Sequence, residues 1–176
     1  GVARTKALTS IMVWGQAAAK SESQLAVFNG KVKESQSALE TWLADKKVTR
    51  QLEQVRDYLD KQPHVFILGR GVLYYPALES ALKLKEISYI HAEGFSAGEL
   101  KHGVIALVEN GTPVMCLIGQ EAQSQAALTA AAEVKARGAY VIGVVREGAE
   151  RSEASDVAIS VAAVFEVVEG LQIIVA

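Results

Sequence analysis

Cysteine is almost absent from this 176-residue chain: Cys116 is the only one, set in the apolar run Val114-Met115-Cys116-Leu117-Ile118. A disulfide framework and a thiolate metal site are thereby excluded within the chain, and a buried, unreactive thiol is expected. Charge of one sign is missing too. The 18 Lys and Arg residues and 20 Asp and Glu residues are interspersed, for a net charge of -2, so no one-sided basic surface is available for nucleic acid or an anionic membrane. No apolar run approaches the roughly 20 residues needed to span a bilayer, and no basic-then-apolar leader opens the sequence. A cytoplasmic location is expected. Aromatic residues are scarce at 6%, whereas half the residues are apolar, and Gly and Ala are frequent, the composition of α/β proteins with small residues between helix and sheet. The length suits one core with a helical annex. The chain opens at Gly1 without a methionine, and its first ten residues read as the middle of an element, as expected of a fragment.

Residues 5–59 have helical periodicity, with Leu8, Ile11, Met12, Gly15 and Ala18 at steps of three and four and Leu39, Trp42 and Leu43 repeating the pattern. The polar stretch 20–33, with Asn29-Gly30 as a turn signal, predicts a loop or helix junction. An amphipathic helix follows over 48–59 and is closed by Pro63. Short apolar runs then alternate with helical ones, the signature of βαβ units and a parallel sheet. Strands are predicted at 65–68, 88–91, 114–118, 140–145 and 157–160. Helices are predicted from Pro76 to Ile87, from Gly98, over 121–136 up to Gly138, and from Phe165 onward. The expected division is a helical segment 1–60 and an α/β domain 61–176.

The strand end Gly69-Arg70-Gly71 is a candidate site edge, because ligands of open parallel sheets gather beyond the carboxyl ends of strands. A tight turn is the simpler account of two glycines there. Tyr74, three residues after Gly71, breaks the dinucleotide fingerprint, so no cofactor is expected. Glu79, Lys83 and Glu86 fall at i, i+4 and i+7 and share one helix face. Spacing alone is better served by a solvated face stitched by ion pairs. The segment from His91 to Gly103 carries two His, two Glu, one Lys and three Gly and reads as a loop rich in acid–base groups. His91, Glu93, Glu99 and His102 are metal-ligand types, but they form no compact ligand motif, and no metal is expected.

The run Ala77-Leu78-Glu79-Ser80-Ala81-Leu82-Lys83-Leu84-Lys85-Glu86-Ile87-Ser88-Tyr89-Ile90-His91-Ala92-Glu93, with Ala97-Gly98-Glu99-Leu100-Lys101-His102-Gly103 after it, closely resembles the second sugar-isomerase (SIS) domain of the glutamine:fructose-6-phosphate amidotransferases. Leu68-Gly69-Arg70-Gly71 fits the first turn of that domain, and Gly1-Val2-Ala3-Arg4-Thr5-Lys6-Ala7 resembles the end of the family's first SIS domain. The likeness spans most of the chain to about Val114; beyond it only the strand–helix rhythm matches.

The resemblance implies a three-layer αβα fold with a mainly parallel, flavodoxin-like sheet preceded by a helical segment. It implies ketose-to-aldose isomerisation of an aminated sugar, from fructose 6-phosphate to glucosamine 6-phosphate, in a homodimer. Glu86 matches the family's proton-shuttling glutamate, Lys83 the lysine one turn earlier, and His102 the ring-opening histidine contributed by the partner subunit. Val2, Gly69 and Gly71 match substrate-binding positions. Arg4 stands where the family has a small hydroxyl residue against the sugar, so its contact there is of another kind or lost. A carboxylate that takes and returns a proton on one face suits a 1,2-shift, and a neutral imidazole can accept from a hydroxyl while donating to the ring oxygen. No counterpart of the family's Schiff-base lysine follows Ala176, so this chain alone is expected to hold an incomplete site. Another SIS-type phosphosugar isomerase or deglycase, or a non-catalytic phosphosugar-binding regulatory module, would share the fold.

Overall fold

The computed structural model describes residues 13, 17–18, 20–119, 124–150 and 152–161. Helix α1 (Glu22–Ala44) starts at a capping box in which Ser21 and Gln24 satisfy each other's ends of the helix. It buries Phe28, Ser35 and Trp42, one residue every seven, and runs straight through Asn29-Gly30. The expected junction is therefore not at Asn29-Gly30; within the polar stretch the chain breaks at Lys20-Ser21, just ahead of α1. A helical Gly costs about 1 kcal/mol against Ala, too little to break a long helix whose buried stripe continues on both sides. Asp45 ends α1 and caps α2 (Lys46–Leu59), its side chain accepting from the Lys47 backbone N–H.

The strands β1 (His64–Gly69), β2 (His91–Ser96), β3 (Pro113–Ile118), β4 (Tyr140–Arg146) and β5 (Val157–Val161) form a parallel sheet in the order β2-β1-β3-β4-β5. Helix α3 (Tyr74–Ser88) connects β1 to β2 and helix α4 (Ser124–Ala136) connects β3 to β4. Both faces are covered, which is why the strands read as near-continuous apolar runs. Val65, Ile67, Leu117, Ile142 and Val144 point to α1, α2 and α3. Phe66, Leu68, Val114, Cys116 and Ile118 point to α4. Burial among these side chains pushes the Cys116 thiol up to about 12, in keeping with an inert cysteine.

Two sequence expectations are corrected. The second strand begins at His91 rather than near Ser88, because Ser88 still belongs to α3 and Tyr89, at φ 62°, turns the chain after it. The segment 91–96 is accordingly strand, not loop: every residue from His91 to Ser96 has a register partner in β1, from His64 to Gly69. Its acid–base side chains misled because β2 is an edge strand with half-exposed residues. The helix expected from Phe165 lies outside the described residues.

Helix α3 packs directly on β1 and β2. A Cβ on Gly94 would come within 2.8 Å of the Ala77 carbonyl oxygen, a contact that neither backbone can relieve without moving the helix. Gly94→Ala should therefore lower stability by about 1–3 kcal/mol. Gly30 faces open space, so Gly30→Ala should raise stability by about 0.5–1 kcal/mol. Urea unfolding midpoints of the two variants check both signs.

Candidate functional site

Everything on α3 is aimed by the turn that precedes it. Gly69 has no room for a Cβ against the Leu73 backbone, and Gly71 adopts φ 58°, a left-handed conformation that favours glycine. A single 3-10 turn (Gly71–Leu73) then leads into α3. Ala77 and Ala81 lie flat on the sheet, 0% and 2% exposed, which lets the helix sit close and carries the next residues round to its outer side.

Lys83 Nζ lies 2.7 Å from Glu86 Oε2 and 3.4 Å from Glu79 Oε1. The ion pairs that the spacing predicts are present, but the face is not simply solvated: Lys83 is 7% exposed, its stem laid along apolar neighbours and its charge held between two carboxylates. Glu79 and Glu86 remain more open, their side chains 20% and 36% exposed. The hydrogen bond to Glu86 raises the Lys83 pKa; burial opposes the rise and the charge of Glu79 adds to it. Lys83 is thus held as an ammonium whose three donors fix the rotamers of two glutamates. Glu86 is tied to Lys83 through Oε2, and no partner of Oε1 is seen among the described residues.

Gly69 and Gly71 lie at the opposite end of the helix. Twelve residues separate Tyr74 from Glu86, about 18 Å along the axis, so the glycine turn and the lysine–glutamate cluster do not share one pocket within this chain. His102 is placed elsewhere again. It ends a 3-10 segment (Ala97–His102) that packs on α4, and its neighbours Ala97 and Leu100 belong to the α4 side of the core, whereas Ala77 and Ala81 of α3 belong to the other. The sheet stands between His102 and Glu86. His102 itself is exposed. Val2 and Arg4 lie outside the described residues. Among the described residues no group of three His, Cys, Asp or Glu side chains is placed to hold a metal; His91 and Glu93 approach to 3.8 Å on β2.

Two features were missed in the sequence. Arg70 lies across Gly98, where a Cβ would strike its guanidinium; a Gly at each of two neighbouring strand ends is the only trace of that contact. Ser80 is 8% exposed, and its hydroxyl has no hydrogen-bond partner among the described residues. Its place one turn before Lys83 was the available signal.

A parallel five-stranded sheet in the order β2-β1-β3-β4-β5, covered on both faces, with ionisable residues on the first crossover helix, defines a doubly wound, flavodoxin-like α/β domain. The chain belongs to the SIS domain family, whose model matches residues 58–175. It is 48% identical over 118 residues to glutamine-fructose-6-phosphate aminotransferase (isomerizing) of Streptococcus mutans serotype c, covering 66% of this chain and 19% of that protein. It is 50% identical over 112 residues to the protein of that name from Oceanobacillus iheyensis, covering 63% and 18%. The matched part thus spans about a fifth of these relatives. The C-terminal domain of glucosamine-fructose-6-phosphate aminotransferase from Francisella tularensis superposes with a TM-score of 0.74 at 31% identity, over 89% of this chain and 45% of that one.

The raised Lys83 pKa has a sign that can be checked. A lysine whose folded pKa exceeds its ordinary 10.5 contributes stability that is complete below 10.5 and disappears as pH rises through the folded value. The melting-temperature difference between wild type and Lys83→Met should be steady across neutral pH and shrink in the alkaline range above 10.5, as followed by circular dichroism.

Proposed function

We propose that this chain is the isomerase portion of an enzyme that converts fructose 6-phosphate and glutamine to glucosamine 6-phosphate and glutamate. The observation that carries the reading is the Glu79–Lys83–Glu86 cluster in a chain that is 48% identical over 66% of its length, and 50% identical over 63% of it, to two aminotransferases of that name. In this reading Glu86 Oε1 takes a proton from C1 of the aminated ketose and returns it to C2 on the same face. Lys83 holds the carboxylate through Oε2 so that the free oxygen faces the sugar. Gly69, Gly71 and Val2 belong to the substrate-binding surface, and Arg4 to its margin. The parent would carry a glutaminase domain and work as a cytoplasmic homodimer, with neither nucleic acid nor membrane as partner. No helix among the described residues is long and apolar enough to cross a membrane.

The opposite-face placement of His102 and Glu86 favours a site shared between subunits, with His102 reaching Glu86 of the partner. A binding-only module has no use for an acid–base pair so arranged. In the full-length parent, Glu86→Gln should leave glutaminase activity near normal and lower glucosamine 6-phosphate formation at least about a hundredfold, the usual contribution of a positioned base. Wild-type synthesis by that variant would remove Glu86 from the mechanism.

Mixing inactive His102→Ala and inactive Glu86→Gln proteins tests the shared site. Statistical exchange makes half the dimers mixed, each with one intact site, so activity should return to about a quarter of wild type. Subunit exchange without recovery would place both residues in one chain's site.

A further inference from the structure

The segment that carries His102 is held more firmly than an exposed loop. It is a 3-10 turn over Ala97–His102, and three residues per turn set residues three apart one above the other. Its six residues therefore form three pairs on three sides. Ala97 and Leu100 are buried in the α4 side of the core. Gly98 and Lys101 make the second pair. Glu99 and His102 make the third, and both are exposed.

The second pair is gripped by side chains from two other elements. At its first member the guanidinium of Arg70, from the end of β1, lies so close to Gly98 that a Cβ there would strike it. At its second, Lys101 Nζ lies 2.8 Å from Glu133 Oε1 on α4. The lysine side chain is 66% exposed and the glutamate 26%, and Glu133 sits beside the fully buried Val134 on a packed helix. The carboxylate is thus the fixed end of the pair and the ammonium the tethered one. An exposed ion pair contributes little to stability. It can still place a neighbouring residue, because a charge-assisted hydrogen bond of this length constrains direction as well as distance. Lys101 follows the buried Leu100 and immediately precedes His102, so the pair settles the end of the turn that packing at Leu100 leaves open.

We propose that Glu133 is a positioning residue: through Lys101 it fixes the last residues of the turn so that His102 is presented outward to Glu86 of the partner subunit. The inference rests on the shared site proposed above and adds to it a residue of α4 that acts at one remove. A displacement of about 1 Å at a reacting group can lower a rate about a hundredfold. Loss of one of the holds on the turn should cost less than that.

The test places Glu133→Gln on one chain at a time in mixed dimers of the full-length parent. When His102→Ala and Glu86→Gln proteins are combined, the intact site takes Glu86 from the first chain and His102 from the second. With Glu133→Gln added to the Glu86→Gln chain, which donates His102, the recovered activity should fall at least about fivefold in kcat, with KM for fructose 6-phosphate unchanged. The same substitution on the His102→Ala chain should leave the recovered activity as it was. Exchanging the charges on the donor chain, Lys101→Glu with Glu133→Lys, should restore more than half of what is lost. A merely structural role would act from either chain, so equal loss in both arrangements overturns the inference, and so does loss in neither. Loss that the charge exchange leaves unrepaired also overturns it, by separating Glu133 from Lys101. A plain mixture of His102→Ala and Glu86→Gln that recovers nothing is a different result: it strikes the shared site itself, and the role of Glu133 falls with it.

Discussion

The closeness of α3 to the sheet is the constraint on which the rest depends. Gly69 lets the chain turn back over β1 and Gly94 lets the backbone at Ala77 approach β2, so that the helix can lie on its two alanines. Because it lies so close, the stem of Lys83 is buried while its ammonium emerges between Glu79 and Glu86. A helix raised by the bulk of one methyl group would carry the same residues with the lysine in water, where its ion pairs would contribute little. Packing at the glycines and electrostatics at the lysine are one arrangement seen from two ends of the helix.

The sheet also acts as a partition. Side chains of β1 alternate between the α3 side and the α4 side, and the acid–base residues follow the same division, with Glu86 over one face and His102 beyond the other. A single copy therefore holds these two residues on different sides of the sheet. The site shared between subunits proposed above rests on that division.

Much of the fold was legible in the sequence. The four buried apolar runs that became β1, β3, β4 and β5 were read to within one or two residues, because strands covered on both faces leave a continuous apolar signal. β2 was not legible over its length. As an edge strand it needs apolar residues on little of its surface, and Ala92 is its one fully buried residue, so His91 and Glu93 dominated the reading. Asn29-Gly30 misled for the opposite reason: a local turn signal was outweighed by a stripe of Phe28, Ser35 and Trp42 that only a continuous helix can bury. In the candidate site, spacing was enough to bring Glu79, Lys83 and Glu86 together. It could not tell that Lys83 would be buried, which depends on how near the helix lies to the sheet, nor that the sheet would divide Glu86 from His102.

The far edge of the sheet carries its own consequence. Trp42 donates its indole N–H to the Ser160 carbonyl and Gln51 its amide to the Ala158 carbonyl, so two outward-facing acceptors of β5 are taken by side chains of α1 and α2. An edge strand with free carbonyls is a template on which another chain can add itself. The helical segment is thus a seal as well as a spacer. A chain cut back to the limits of the family match, at residue 58, would keep its sheet and lose that seal, gaining a sticky border where the intact chain has a closed one.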